Sequence, residues 1–198
     1  MPLRDCQHWI FDMDGTLTIP VHDFEDIRRQ LGIKPATPIL EAIAKMPPDQ
    51  ARNTHRRLHE IEMEIAALAI PQPGAEELLT QLVRNGSQLG ILTRNDEDIA
   101  EATLNASGLD RFFDSSCIVG RETCAPKPLP DGVHHLLKKW AAPATHTVMV
   151  GDFKYDIEAG KRAGVRTVHF DSSGAFSWPE FTDHKVTKLS DIKTLIGD

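Results

Sequence analysis

Hydrophobic and polar positions along this chain change their spacing repeatedly, and the change predicts strands that alternate with helices. Short apolar runs typical of buried strands end at Phe11 and recur at 88–93, 117–119, 147–150 and 166–170. Amphipathic segments with helical spacing lie between and after them, at 75–84, 96–107, 131–140, 155–163 and 190–196. This order predicts an α/β fold with a doubly wound, Rossmann-like parallel sheet, whose ligands bind beyond the carboxyl ends of the strands.

The segment between the first strand and Pro73 is different, because it has helical spacing and no convincing strand. Three helices are predicted here, at 23–31, 38–46 and 48–69. The longest carries an apolar stripe at three-and-four spacing, which predicts one buried face: Leu58, Ile61, Ile65 and Leu68. Proline and glycine interrupt the pattern at 71–74. We therefore predict a core of residues 1–17 and 73–198 with an all-helical insertion at 18–72.

Composition and charge narrow the possible partners. The chain has 198 residues, of which 40% are hydrophobic, enough for one core plus an insertion. The net charge is −7 and no basic tract exceeds Arg56-Arg57, which argues against nucleic acid as a partner. No apolar run approaches the ~20 residues that cross a bilayer, and the amino terminus lacks the apolar segment of a signal peptide. We expect a cytoplasmic monomer or weak homodimer with no membrane partner and with reduced cysteines.

The end of the first strand carries the strongest chemical signal. Asp12 and Asp14 occupy alternate positions directly after the apolar run, and Gly15 follows them. Residues two apart on an extended segment point the same way, so the two carboxylates are expected to lie close together. Carboxylates this close repel unless a cation lies between them or one of them takes up a proton. The spacing therefore favours a site that binds a cation or moves protons.

Three later segments each place polar groups where a strand ends or a helix begins. Thr93 ends a predicted strand, and Arg94 and Asn95 follow it, with Asn95 as the expected helix cap. A β-branched strand ends at Gly151-Asp152, with Asp156 at the start of the next helix, and Lys127 lies between two prolines. Each position alone has an ordinary structural explanation, but their convergence at one edge of a sheet predicts a functional site.

These motifs together resemble the haloacid dehalogenase superfamily of phosphohydrolases. The resemblance runs from about residue 10 to residue 170 and comprises Asp12-Met13-Asp14-Gly15-Thr16, Thr93, Lys127 and Gly151-Asp152-Phe153-Lys154-Tyr155-Asp156, in the family's order. It implies that Asp14 acts as general acid and base and that the insertion is the family's small helical cap. A phosphoglycolate phosphatase-like enzyme that acts on a small phosphorylated metabolite is the nearest description, although residues 18–21 depart from that group and leave the substrate open.

The chemistry of the same residues agrees with phosphoryl transfer. A carboxylate such as Asp12 can attack phosphorus and form an aspartyl phosphate. Mg²⁺ prefers oxygen ligands, and Asp12, Asp152 and a backbone carbonyl near Asp14 would suffice to hold it. We expect Lys127, Thr93, Arg94 and Asn95 to bind the phosphate, and Asp156 to orient groups around the metal without binding it. In the insertion, Arg56 and Arg57 are candidates to contact the leaving group, or equally to form a solvated face with nearby glutamates.

Three other interpretations were open to the sequence. A sugar phosphomutase shares every core motif, but the short insertion shows no groups that would hold both sugar positions, so hydrolysis is preferred. A dehalogenase proper needs no metal and would be expected to lack the second acid, so Asp14 and Asp152 favour phosphate chemistry. A receiver-type signalling domain also uses acids, a hydroxyl and a lysine. Its phosphorylated aspartate lies on a middle strand before the Thr and Lys, whereas here Asp152 comes last and a helical insertion interrupts the first loop.

Overall fold

The computed structural model describes residues 3–21 and 23–197, so the outermost ends of the predicted core lie outside the described residues. Within this part of the chain, six strands form one parallel sheet in the spatial order β3-β2-β1-β4-β5-β6. The strands are β1 (His8–Phe11), β2 (Gln88–Leu92), β3 (Ile118–Val119), β4 (Thr147–Gly151), β5 (Arg166–Phe170) and β6 (His184–Val186). Their order reverses direction beside β1, as in a doubly wound sheet.

Helices cover both faces of this sheet, and the alternation of side chains along β1 shows why. Trp9 and Phe11 point to one face and Ile10 to the other, and all three are buried. The first face packs against α4 (Ala75–Arg84), α5 (Glu97–Ser107) and α8 (Leu189–Ile196). The second packs against α6 (Asp131–Trp140) and α7 (Lys154–Arg162). The predicted α/β fold class is therefore confirmed.

Within the described residues, three helices lie between β1 and α4, as the spacing predicted. They are α1 (Phe24–Gln30), α2 (Ile39–Ile43) and α3 (Pro48–Ala66). They bury a small apolar cluster of their own, separate from the two clusters of the sheet: Ile27, Ile33, Ile43, Leu58 and Ile61. We call residues 18–72 the helical insertion.

Several predicted boundaries were wrong by a few residues, each for a local reason. The predicted helix 48–69 ends at Ala66, so Leu68 lies beyond it and is exposed instead of continuing the apolar stripe. The short α2 begins one residue after the start of the predicted helix 38–46 and ends at Ile43, because the backbone after Ile43 forms tighter turns. Among the described residues, no helix is both long and apolar enough to span a membrane.

The carboxyl-terminal part contains a strand that no pattern predicted. β6 pairs in parallel with β5, and Val168 lies opposite His184. The strand has three residues, two of them polar, and it lies at the edge of the sheet. Its strand conformation depends on pairing with β5, because its own sequence lacks an apolar run.

Candidate active site

The sheet register brings the predicted acids and hydroxyl to one edge. Phe11, the last residue of β1, lies opposite Ile91 of β2 and Val150 of β4. Asp12 follows Phe11 directly, while Thr93 and Asp152 lie just beyond the ends of the neighbouring strands. Because parallel strands end at the same edge, residues that are far apart in the chain meet here.

Lys127 joins this edge from the loop that follows β3. Its side chain is only 2% exposed, and its Nζ lies 2.5 Å from Asp12 Oδ1 and 2.7 Å from Asp156 Oδ1. The other oxygen of Asp156, Oδ2, accepts a hydrogen bond from the Phe153 backbone N–H at 2.9 Å. Both oxygens of Asp156 thus have protein partners, and this carboxylate positions Lys127 and the loop that begins α7.

Negative charge exceeds positive charge in this buried cluster. Burial, together with Asp156 and Asp152, raises the pKa of Asp12 well above its ordinary value, although Lys127 acts in the opposite direction. Burial and the Asp156 carboxylate raise the pKa of Asp152 to about 7. Burial alone would lower the pKa of Lys127, but Asp12 and Asp156 outweigh it and raise the pKa. One ammonium among three carboxylates leaves a surplus that a bound cation would neutralise.

The donor set agrees with a hard divalent cation such as Mg²⁺. Asp12, Asp152 and Asp156 each offer a carboxylate oxygen, and these three atoms lie within 4.8 Å of one another. Mg²⁺ is typically held by one or two carboxylates with water and phosphate oxygens. Since the oxygens of Asp156 are engaged, Asp12 and Asp152 are the better ligands. Asp14 is not in this group, and the expected use of its backbone carbonyl stays a prediction.

The turn after the acids holds Asp152 in position. Gly15 has a φ of +92°, and a Cβ atom there would collide with the Asp152 carboxylate. The next residue, Thr16, donates a hydrogen bond from Oγ1 to Asp152 Oδ1 at 3.2 Å. The glycine therefore allows the first motif and the last motif to approach each other closely.

Asn95 has a different role from the helix cap that its position predicted. The cap of α5 is Asp96, and the Asn95 side chain donates from Nδ2 to Asp14 Oδ2 at 2.8 Å. The Asn95 backbone N–H donates to Thr93 Oγ1 at 3.1 Å. The prediction of Asn95 as cap was wrong because its amide is engaged by Asp14 across the site. Thr93, whose hydroxyl oxygen accepts this bond, keeps its O–H proton for another acceptor.

These residues lie on one side of a cavity of about 460 Å³ between the sheet edge and the helical insertion. All the predicted core residues of the site line it: Asp12, Asp14, Thr93, Arg94, Asn95, Lys127, Asp152 and Asp156. The insertion closes the opposite side, mainly with apolar side chains from α1, α2 and α3. Such a cavity is within the usual size of small-molecule sites, about 300–1,000 Å³.

Comparison with known proteins identifies the family. The family model described as haloacid dehalogenase-like hydrolase matches residues 21–170. The chain belongs to this family. It is 34% identical to a haloacid dehalogenase-like hydrolase domain-containing protein of Arabidopsis thaliana, over 94% of this chain and 82% of the relative. It is 28% identical to a phosphoglycolate phosphatase of Pseudomonas fluorescens, over 80% of this chain and 67% of the relative.

The fold of this hydrolase is shared with solved structures. The crystal structure of a hydrolase from Pseudomonas syringae superposes with a TM-score of 0.80 at 24% identity, covering 97% of this chain and all of that one. The family model and the relative of Arabidopsis thaliana confirm the family and the hydrolase class predicted from the motifs. Membership in an enzyme family also sets aside the receiver-type alternative.

The structure does not bring Arg56 and Arg57 to the cavity of this hydrolase. Arg57 donates to Glu60 Oε2 at 2.9 Å and to Gln30 Oε1 at 3.0 Å on the outer surface of the insertion. Neither arginine lines the cavity, so their placement does not support the predicted contact with the leaving group. It agrees with the solvated face that was the other interpretation.

Sequence reasoning missed an arginine that joins the insertion to the core. Arg121 follows β3, and its guanidinium donates to Glu62 of α3 at 2.9 Å and 3.2 Å, and also to Asp96. His59, one turn before Glu62, faces Asp98 of α5 at 3.5 Å. One signal was present in the sequence, because Glu62 follows Ile61 on the buried face of α3, where an acid needs a partner.

Proposed function

We propose that this hydrolase removes the phosphoryl group from a small phosphorylated metabolite, with Mg²⁺ and through an aspartyl phosphate on Asp12. The observation that carries the proposal is the buried Asp12 carboxylate, held by Lys127 at 2.5 Å at the end of a strand and beside Asp152. A relative named phosphoglycolate phosphatase supports the phosphomonoester substrate class.

Asp12 is the nucleophile of the first step. One carboxylate oxygen of Asp12 attacks phosphorus while the bond between phosphorus and the leaving oxygen breaks, and its other oxygen would be available to the cation. The Lys127 ammonium and the Thr93 hydroxyl hold oxygens of the transferred phosphoryl group. These contacts do most of the work, because phosphoryl transfer depends chiefly on alignment and on neutralising oxygen charge.

Asp14 moves the protons of both steps. It first protonates the leaving oxygen, so that the alcohol departs neutral. As a carboxylate it then takes a proton from the water that attacks the phosphoaspartate, which releases inorganic phosphate and regenerates Asp12. The Asn95 amide, 2.8 Å from Asp14 Oδ2, orients this carboxylate for both transfers.

The cation is held by Asp12 and Asp152 in this proposal. When bound, Mg²⁺ neutralises charge on the phosphoryl oxygens and balances the surplus of carboxylates around Lys127. Asp156 fixes the Lys127 ammonium and the Phe153 amide, so it is a positioning residue.

Release of inorganic phosphate from a panel of phosphomonoesters with Mg²⁺ tests the proposal. Asp12→Asn is expected to reduce kcat/KM at least about 10³-fold, because the nucleophile is lost. Mass spectrometry should detect a covalent phosphoryl adduct on the wild-type protein and none on this variant. Asp49→Asn, which changes an exposed aspartate of the insertion, is the matched control and should retain full activity.

Two results would contradict the proposal in different ways. Normal turnover by the Asp12→Asn variant would remove Asp12 from the nucleophile role. Interconversion of sugar phosphates with little free phosphate, followed by ³¹P NMR, would instead support the phosphomutase alternative.

A further inference from the structure

The part of the cavity that faces the sheet edge from the insertion is apolar. Phe24 of α1 lines it and is 54% exposed, and Leu58 of α3 forms its buried floor. Phe153, which is 49% exposed, and Tyr155 line it from the core. Single exposed aromatic side chains are common, but exposed apolar side chains that border one cavity together mark ligand-binding grooves, and Phe24 and Phe153 do so here.

The arginines of the cavity are already neutralised. Three arginines line it, and each has a carboxylate partner within hydrogen-bonding distance. The pairs are Arg94 with Glu41 at 2.7 Å, Arg121 with Glu62 at 2.9 Å, and Arg28 with Glu25 at 2.8 Å. The guanidinium of Arg94 also donates to the Lys127 carbonyl and lies over the Tyr155 ring. Of the described lining residues, only Lys127 adds a cation, and it is bound to Asp12 and Asp156.

A leaving group in this space therefore gains from apolar contact and not from charge. A second anionic group on the substrate would meet guanidinium groups whose charge is already balanced by carboxylates, and it would lose its hydration on entry. An aromatic or aliphatic group would instead cover Phe24 and Phe153 and leave water. We propose that the preferred substrates are phosphomonoesters with an apolar leaving group and no second anionic group. This inference rests on the proposed phosphatase function.

The substrate test compares three primary alkyl phosphates, so that the acidity of the leaving alcohol changes little. These are 2-phenylethyl phosphate, propyl phosphate and 3-phosphonooxypropanoate. We expect kcat/KM to fall in that order, with about tenfold or more between the first and the last, since contacts in an apolar pocket discriminate on this scale. A preference for 3-phosphonooxypropanoate would overturn the inference while leaving the phosphatase function intact. Phosphate release from none of a broad panel would contradict the phosphatase function instead.

The first variant removes an aromatic wall. Phe24→Ala should narrow the preference for 2-phenylethyl phosphate over 3-phosphonooxypropanoate by about tenfold, chiefly through KM, because the ring contributes ground-state contact. Leu68→Ala is the matched control, since Leu68 is an exposed apolar residue of the insertion that does not line the cavity.

The second variant removes the carboxylate partner of an arginine in the cavity. Glu41→Gln leaves Arg94 without its carboxylate partner, so kcat/KM for 3-phosphonooxypropanoate should rise about tenfold, the scale of a hydrogen bond to a charged group. Glu60→Gln is its control, because Glu60 pairs with Arg57 outside the cavity. A substrate ratio that neither Phe24→Ala nor Glu41→Gln changes would overturn the inference.

Discussion

The two walls of the cavity differ in charge balance. At the sheet edge, the buried Asp12 and Asp156 carboxylates contact the Lys127 ammonium and the half-buried Asp152 lies beside them, so negative charge exceeds positive charge. On the insertion side, apolar side chains predominate and the glutamates pair with arginines. In the proposed mechanism, the unbalanced charge at the sheet edge binds a cation and promotes phosphoryl transfer, whereas the neutral wall selects among leaving groups. The proposal thus assigns reaction and selectivity to different parts of the molecule, which meet at this cavity.

The difference in burial explains why the sheet edge can hold such a cluster. Asp12 and Lys127 are 8% and 2% exposed, so water screens their charges only weakly. The folded sheet supplies the free energy that keeps these groups together.

The largest effect should come from removing the ammonium. Lys127→Met leaves Asp12 and Asp156 without their shared cation, and breaking a buried ion pair in this way costs about 3–5 kcal/mol of unfolding free energy. Urea denaturation in chelator measures it, with Lys138→Met on the exposed side of α6 as control. Wild-type stability in the Lys127→Met variant would mean that the cluster is not held by this charge.

The second-largest effect on the unfolding free energy should come from removing or adding the cation. At Mg²⁺ about 100-fold above its Kd, bound metal adds about 2.7 kcal/mol to the unfolding free energy of wild type. Asp152→Asn should lose most of that gain, because it lacks a ligand. The two proteins are compared by thermal unfolding with and without Mg²⁺, with Asp49→Asn as control. An equal response to Mg²⁺ in the Asp152→Asn variant would exclude Asp152 as a ligand.

The free energy of unfolding in chelator should also depend on pH, and the Asp152 pKa fixes the direction of the change. The Asp152 pKa is raised from 3.8 to about 7, so the folded state binds this proton more tightly than the unfolded chain does. In chelator, wild type should therefore lose stability as the pH rises from 3.8 to about 7, and Asp152→Asn should lose less. A steeper loss in the variant would contradict the assignment of the proton to this carboxylate.

A smaller effect is expected where the two walls are joined. Arg121 and Glu62 have side chains only 9% and 10% exposed, so their coupling in a double-mutant cycle with Gln substitutions should be about 1–2 kcal/mol. The exposed pair Arg52 and Asp49 is the control, and its coupling should be near zero. Equal coupling in both pairs would show that burial does not strengthen the contact between insertion and core.

The smallest effect should follow from Arg56→Ala with Arg57→Ala. Their side chains lie outside the cavity, and surface substitutions of this kind rarely change stability or binding. We expect KM and the melting temperature to remain as in wild type for every phosphomonoester tested. A rise in KM for anionic substrates alone would restore the role that the sequence suggested for these arginines.

The sheet and its reactive edge could be predicted because the local sequence contains them. Parallel strands buried on both faces leave apolar runs, and Asp12, Thr93 and Asp152 stand where such runs stop. β6 could not be predicted, because His184-Lys185-Val186 becomes a strand only by pairing with β5. Local pattern cannot show a conformation that depends on a distant neighbour.

The contacts of the insertion were hidden for the same reason. Glu62 and Arg121 are 59 residues apart, and Glu41 and Arg94 are 53 apart. No spacing rule connects residues across two parts of a chain that dock through several helices. Adjacent arginines such as Arg56 and Arg57 are conspicuous in a sequence, whereas Arg94 and Arg121, which line the cavity from the core, stand singly.

Gly15 has a consequence for how this protein tolerates change. Its backbone conformation disfavours every other residue, and the space beside it is filled by the carboxylate of Asp152. Any mutation at this codon that inserts a side chain displaces an acid 137 positions away along the chain. A residue with no functional group should therefore tolerate as few substitutions as the acids beside it, and we expect an inherited alanine there to lower activity through shape alone.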